Sequence, residues 1–182
     1  MAIPGFHELT LPVLREYADG AEHSTREVRD RIARLLLLTD EELREPLPSR
    51  RALKYSNRVA WAHTYLKQAL LLESPRRGNY RLTERGLGVL KSPPDRIDIP
   101  FLMRYPEMVE WRRRRGGDED DEGSGTIGGN AVAAVELTPD EQIMAGYRRL
   151  RESLAAQLLG QVKRASPEFF EGLVVELLVA MG

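Results

Sequence analysis

The side chains best suited to chemistry in this sequence are basic and amide groups that lie between Arg50 and Lys91. This stretch holds ten Arg or Lys residues and only two acids. Such a local excess of positive charge is typical of a surface that binds a polyanion. Within it, the sequence predicts a helix over Tyr55–Leu71 and then a short basic hairpin over Leu72–Thr83. A helix followed by a basic hairpin is the layout of a winged-helix DNA-binding domain, and the sequence therefore predicts DNA binding.

At about 100° per residue, the predicted helix has an apolar face and a polar face. The apolar face carries Val59, Ala62, Leu66, Ala69 and Leu70. The opposite face carries Asn57, Trp61, Thr64 and Gln68, flanked by Ser56, Ala60 and Lys67. Amide side chains on a helix in the major groove can bond adenine in bidentate fashion. Asn57 is the predicted base contact, with Thr64 and Gln68 as further candidates.

The basic side chains of the same region are predicted to contact phosphates, which set affinity and register rather than sequence preference. On and before the helix these are Arg50, Arg51, Lys54, Arg58 and Lys67. On the hairpin they are the tip residues Arg76 and Arg77, with Arg81 in support. Three alternatives stay open: Trp61 packs against the hairpin, Asn57 caps the helix start, and the Arg51–Arg58 cluster is a solvated face.

Other kinds of chemistry find little support in the sequence. There is no cysteine, which excludes disulfides and Cys-ligated zinc, and the three histidines lie far apart. No phosphate-binding glycine loop, nucleophile elbow or HExxH motif is present. We expect no cofactor in this chain. No signal-peptide pattern or apolar run of bilayer length is found, so we expect a soluble, cytoplasmic protein.

Helix-start signals predict the elements around this surface. Ser24 with Glu27 and Thr39 with Glu42 form capping boxes, while Thr10 is predicted to cap an earlier helix. The helix after Ser49 is predicted to run to about Leu71, and a closing helix to span Thr83–Lys91. Apolar residues within 96–115 are expected to pack back on this domain.

Charge divides the chain into two halves. Residues 1–115 carry 22 basic and 16 acidic side chains, and residues 116–182 carry 5 and 12. Between the halves, residues 112–136 are rich in Arg, Asp, Glu, Gly and Ser, and are predicted to be a flexible linker. The acidic run Asp118–Glu122 could also mimic phosphate and cover the basic surface when DNA is absent.

Two helices are predicted beyond the linker. Thr138-Pro-Asp-Glu141 predicts the start of a helix over Pro139–Arg164, and Ser166-Pro-Glu168 predicts the start of a last, very apolar helix. The first helix carries an apolar row at steps of four and three: Ile143, Tyr147, Leu150, Leu154 and Leu158. This row predicts a partner surface, either in a homodimer formed through residues 138–182 or in a longer domain.

The sequence also resembles a known family, the Mrr-type restriction endonucleases. Their N-terminal winged-helix domain shows runs similar to Pro48–Trp61 and to Arg77-Gly-x-Tyr-x-Leu-Thr83, and the resemblance covers roughly residues 5–92. In addition, Ser166–Gly182, with its Phe-Phe-Glu run, looks like the first helix of the family's nuclease domain.

The resemblance implies restriction of foreign, typically methylated, DNA by a PD-(D/E)xK nuclease that uses Mg²⁺. In the family the metal-binding Asp and the Glu/Gln-x-Lys pair follow the Phe-Phe-Glu helix, so we expect no cleavage site here. Gln161-Val-Lys163 matches the Gln-x-Lys pattern but lies before that helix, so the match is interpreted as chance.

We therefore predict a mainly α protein with a small β-hairpin, a winged helix-turn-helix that serves as the target-recognition part of an Mrr-like enzyme. The predicted organisation is a DNA-binding domain over 1–111 with its core at 5–92, a linker over 112–136, a connecting helix over 137–165 and a nuclease start over 166–182. The alternatives are a stand-alone transcriptional regulator that dimerises through its C-terminal helices, and a protein–protein scaffold.

Overall fold

The computed structural model describes residues 3–116 and 137–181. It contains two compact units, Met1–Glu141 and Gln142–Gly182. Helices of the described residues are α1 Phe6–Arg15, α2 Thr25–Leu35, α3 Asp40–Arg44, α4 Lys54–Gln68, α5 Glu84–Lys91, α6 Ile99–Leu102, α7 Pro106–Gly116, α8 Pro139–Arg164 and α9 Pro167–Ala180. Its strands are β1 His23–Ser24, β2 Leu72–Arg76 and β3 Asn79–Leu82.

The first unit has the element order of a winged helix, with three helical segments before α4 and a hairpin directly after it. The strands form an antiparallel sheet in the order β1-β3-β2, with His23 opposite Tyr80 and Leu72 opposite Leu82. The predicted fold class, mainly α with a small hairpin, is confirmed.

Several helix starts follow from the capping signals in the sequence. The Ser24–Glu27 and Thr39–Glu42 capping boxes are both formed, which confirms these predictions. The predicted cap at Thr10 is wrong. The carboxylate of Glu8 already accepts the Gly5 N–H at 2.7 Å, so α1 begins one turn earlier, at Phe6. Thr10 is buried inside the helix, where its hydroxyl donates to the Phe6 carbonyl.

Helix α4 begins at Lys54, between the two predicted starts after Ser49 and at Tyr55, and it ends three residues before the predicted end at Leu71. Before it, Pro46 and Leu53 form a β-bridge that closes a tight turn, in which Arg50 has a φ of 55°. After it, Leu70 also takes a left-handed φ of 55°, which ends the helix. The helix is therefore confined to Lys54–Gln68.

The core of the first unit forms where the apolar face of α4 meets α1. Val59, Ala62, Leu66 and Ala69 are buried as predicted, whereas Leu70 is 44% exposed because the helix has ended before it. The segment after α5 also contributes, as expected, with Ile97, Leu102 and Met108 buried in the same core. Helix α7 continues through Gly116, so the first five residues of the predicted linker, 112–116, are helical. The acidic run Asp118–Glu122 lies outside the described residues.

The second unit consists of α8 from Gln142 onward and of all of α9. Both helices start where the sequence predicts, and the predicted end of α8 at Arg164 is also confirmed. The apolar row of α8 is exposed, with relative exposures from 51% at Leu158 to 69% at Ile143. Among the described helices, none has the length and apolar character needed to cross a membrane.

Candidate nucleic-acid interface

The hairpin beside α4 is held rigidly at its tip. Gly78 supplies the turn with a φ of 80°, a conformation that a side chain would strain. The Gly78 carbonyl accepts both the backbone N–H and the hydroxyl of Thr25, each at 2.9 Å, which ties the tip to the start of α2. On the strand that follows, the ring of Tyr80 lies 4.9 Å from that of His63 on α4. The hairpin is thus fixed to two helices.

His63 itself is part of the frame that positions α4. Its Nδ1 lies 2.8 Å from the Val59 carbonyl oxygen, which can only accept, so Nδ1 carries the proton. Its Nε2 then accepts from the Tyr17 hydroxyl at 2.9 Å. Burial lowers the pKa of His63 to about 4. The imidazole is therefore neutral at physiological pH, and it connects α4 to Tyr17, just after α1, by a hydrogen bond and to Tyr80 of the hairpin by a ring contact.

Some of the residues predicted to contact DNA are accessible to solvent. Arg50, Arg51, Lys67 and Arg77 are exposed, and none of the four makes an ion pair with another residue that the structure describes. Thr64 and Gln68 are half-buried on α4, on the predicted side, and the Thr64 hydroxyl donates to the Ala60 carbonyl at 3.0 Å.

Three more of the predicted cations are paired with acids near the surface. Lys54 Nζ lies 2.8 Å from a carboxylate oxygen of Glu45. On the hairpin, Arg81 pairs with Glu73 across the strands, and Arg76 Nε lies 3.3 Å from Glu22. At least one side chain of each pair is well exposed, so each pair is worth little and can exchange partners. They reduce the free charge of the surface without removing these side chains from solvent.

Arg58 is placed quite differently, because its side chain is only 10% exposed. Its Nε and Nη2 donate to one oxygen of Glu141 at 3.0 and 2.8 Å. Its Nη1 donates to the carbonyls of Ile3 and Pro4 at 2.6 and 2.9 Å. Arg58 thus joins the N-terminus and the start of α8 to α4. The predicted phosphate contact would require this guanidinium to leave Glu141.

The start of α8 also engages Asn57 and Trp61. Asn57 Nδ2 and Trp61 Nε1 both donate to Asp140 Oδ2, at 2.7 and 3.0 Å. Asn57 Oδ1 accepts from the Thr138 hydroxyl at 2.9 Å. The alternative that Asn57 caps its helix is wrong, because α4 begins three residues earlier, at Lys54. Sequence analysis predicted the helix start at Thr138–Glu141 but not its contact with α4.

Nothing local in the sequence indicates that contact. Asp140 and Glu141 lie about 80 positions beyond their partners, and the capping pattern Thr-Pro-Asp-Glu accounts for both acids as helix-start residues. Only the net charges of the two halves, positive for residues 1–115 and negative for residues 116–182, favour attraction between these acids and α4. Among the described residues, no cluster of three or more His, Asp or Glu side chains could hold a metal ion.

Comparison with known proteins places this geometry in a family context. Residues 6–92 match the family model of the Mrr N-terminal domain. Over its whole length, the chain is 27% identical to the type IV methyl-directed restriction enzyme EcoKMrr of Escherichia coli strain K12, and it spans 60% of that relative's length. No solved structure shows a significant match.

Proposed function

We propose, from the match of residues 6–92 to the Mrr N-terminal domain and the similarity to EcoKMrr, that the chain is the DNA-binding, target-recognition part of an Mrr-type restriction endonuclease. The observation that carries the proposal is the outer face of α4 beside an anchored hairpin whose tip presents an exposed Arg77. This is the arrangement in which winged helices place a helix in one groove and a hairpin along the neighbouring backbone.

The accessible residues of this surface fall into two groups, those that can bond base edges and those that can contact phosphates. Thr64 and Gln68 lie on α4, where hydroxyl and amide groups can bond base edges. Four exposed cations supply phosphate contacts: Arg50, Arg51, Lys67 and Arg77. The paired cations Lys54, Arg76 and Arg81 join them when phosphates replace their carboxylate partners.

The target is proposed to be foreign, methylated DNA, and the site of action the cytoplasm. Support for methylation comes from the name of the Escherichia coli relative, which is methyl-directed. The described residues offer no Mg²⁺ site, since Gln161 and Lys163 lie on α8 without clustered acids. No hydrolytic step is therefore assigned to them.

A mobility-shift assay with unmodified and methylated duplexes at two salt concentrations tests this proposal. Arg77→Ala should weaken binding to every duplex and lower the slope of log K against log salt by about 1, because one phosphate contact is lost. Gln68→Ala should instead alter the preference among sequences and leave the salt slope unchanged.

Lys163→Ala is the matched control, because it removes one exposed positive charge from the second unit. It should leave both affinity and slope unchanged. If the unaltered chain binds neither duplex at low salt, the proposed function is wrong. If it binds both duplexes equally, the methylated target is wrong while DNA binding stands.

We further propose that the chain forms a homodimer through residues 138–182. The exposed apolar row of α8 supports this, since a row of large apolar side chains at helical spacing is typical of a helix–helix contact. Sedimentation of the chain at micromolar concentration as a monomer would contradict it.

A further inference from the structure

Two side-chain donors on α4 converge on a single oxygen atom. Asn57 and Trp61 lie one helical turn apart, and their N–H groups reach Asp140 Oδ2 at 2.7 and 3.0 Å. Two neutral N–H donors aimed at one anionic oxygen form an anion-binding site. The carboxylate of Asp140, which is exposed, is the anion held there.

Both donors are held in place by other contacts. The Trp61 ring packs edge-on against Tyr65, with centroids 5.9 Å apart, and Tyr65 packs in turn against Trp111 at 5.4 Å. The carbonyl oxygen of the Asn57 amide accepts from Thr138, so its NH₂ group is turned toward Asp140. The site is therefore formed by the fold and does not depend on Asp140 alone.

The position of this site points to its natural ligand. It lies on the polar side of α4, on residues that the sequence assigns to the DNA surface. The geometry points to a DNA backbone phosphate as the ligand of Asn57 Nδ2 and Trp61 Nε1, with Asp140 as an internal anion that competes for the site. This inference rests on the proposed function. It gives Asn57 a phosphate contact in place of the predicted base contact.

Asp140 and its neighbour Glu141 have different roles in this arrangement. Glu141 is 7% exposed and paired with the buried Arg58, so it anchors the start of α8 to the domain. Asp140 is exposed, and its carboxylate can turn to solvent while the anchor stays intact. DNA therefore has to displace one carboxylate only. Removal of that carboxylate should tighten binding roughly 3- to 10-fold, the net worth of one ordinary hydrogen bond.

The test compares variants of the full chain by fluorescence anisotropy with one labelled duplex. Asp140→Ala should lower Kd roughly 3- to 10-fold. Glu168→Ala is the matched control, because Glu168 follows Pro167 at the start of α9 as Asp140 follows Pro139 at the start of α8. It removes the same charge from an exposed position and should leave Kd unchanged.

A second variant tests the donors themselves. Trp61→Phe keeps an aromatic ring but removes the indole N–H, so in the Asp140→Ala background it should weaken binding roughly 3- to 10-fold. The inference is overturned if Asp140→Ala binds no tighter than the unaltered chain, if Glu168→Ala tightens binding equally, or if Trp61→Phe has no effect.

The same data separate this inference from the proposed function. If the unaltered chain binds DNA and Asp140→Ala binds with the same Kd, only the competing-anion inference fails. If neither protein binds at low salt, the proposed function fails and the inference fails with it. A thermal melt of each variant confirms that the fold is intact, which the exposed position of Asp140 leads us to expect.

Discussion

Replacement of Glu141 by alanine should destabilise the first unit far more than replacement of its neighbour Asp140. Glu141 accepts two hydrogen bonds from Arg58, at 3.0 and 2.8 Å, and the two side chains are only 7% and 10% exposed. Without the carboxylate, the guanidinium stays buried with no counter-charge. Its remaining bonds to the carbonyls of Ile3 and Pro4 satisfy Nη1 only.

The magnitude follows from this burial. Removal of one partner from a buried pair costs about 3–5 kcal/mol, and the retained carbonyl contacts favour the lower end, about 3 kcal/mol. For a unit of this size, 1 kcal/mol shifts Tm by about 3 °C, so Glu141→Ala should lower Tm by roughly 9 °C. Asp140→Ala removes the exposed hydrogen bonds from Asn57 and Trp61 and should cost about 1 kcal/mol or less.

Tryptophan fluorescence is the appropriate assay, because both tryptophans of the chain, Trp61 and Trp111, lie in the first unit. Thermal unfolding followed by this signal reports on that unit without a contribution from the second. Equal Tm losses in Glu141→Ala and Asp140→Ala would refute the assignment of Glu141 as the anchor. Replacing both charges, as in Arg58→Met with Glu141→Leu, should recover most of the loss, since no buried charge is then left unpaired.

Two further predictions concern the frame around α4. Because burial lowers the pKa of His63 to about 4, the unfolded chain binds a proton that the folded chain does not between pH 6.5 and pH 4. The free energy of unfolding should therefore fall by about 3 kcal/mol as pH falls through this range. Urea titrations at several pH values should show this component, and His63→Gln should lack it; an equal loss in the variant would contradict the assignment. Gly86→Ala should cost about 2–3 kcal/mol, because its Cβ would collide with the Leu71 carbonyl oxygen. In Gly88→Ala the new Cβ meets open space, so this variant should stabilise α5 by up to about 1 kcal/mol. Equal Tm values for the two variants would contradict the close packing of Gly86 against Leu71.

The sequence predicts the local elements well because their signals are local. The capping boxes at Ser24 and Thr39 are formed by residues three positions apart, and the apolar spacing of α4 identifies its buried face. The bounds of α4 are predicted less well, since they depend on a β-bridge and on two left-handed residues, Arg50 and Leu70. Propensity and periodicity carry no information about such tertiary constraints.

The candidate site is harder to predict, because it depends on contacts between distant residues. The polar side of α4 follows from helical geometry, but the acids that reach it come from a helix start about 80 positions away. A charge count over a window cannot detect such pairing. That count gave ten basic residues against two acids between Arg50 and Lys91, whereas the acids that neutralise this region lie mostly outside the window.

Ion pairing with acids reduces the number of cations that can contact DNA phosphates. Of the ten basic residues, five are paired with acids: Lys54 with Glu45, Arg58 with Glu141, Arg76 with Glu22, Arg81 with Glu73 and Arg85 with Glu107. Of the cations predicted to contact phosphates, four make no ion pair with another described residue, Arg50, Arg51, Lys67 and Arg77, which corresponds to a salt slope near −3.6 and not to the −9 that ten phosphate contacts would give. A measured slope steeper than about −3.6 would mean that exposed pairs such as Arg76–Glu22 open when DNA binds. Arg58 should contribute nothing to it, because its carboxylate partner is buried with it.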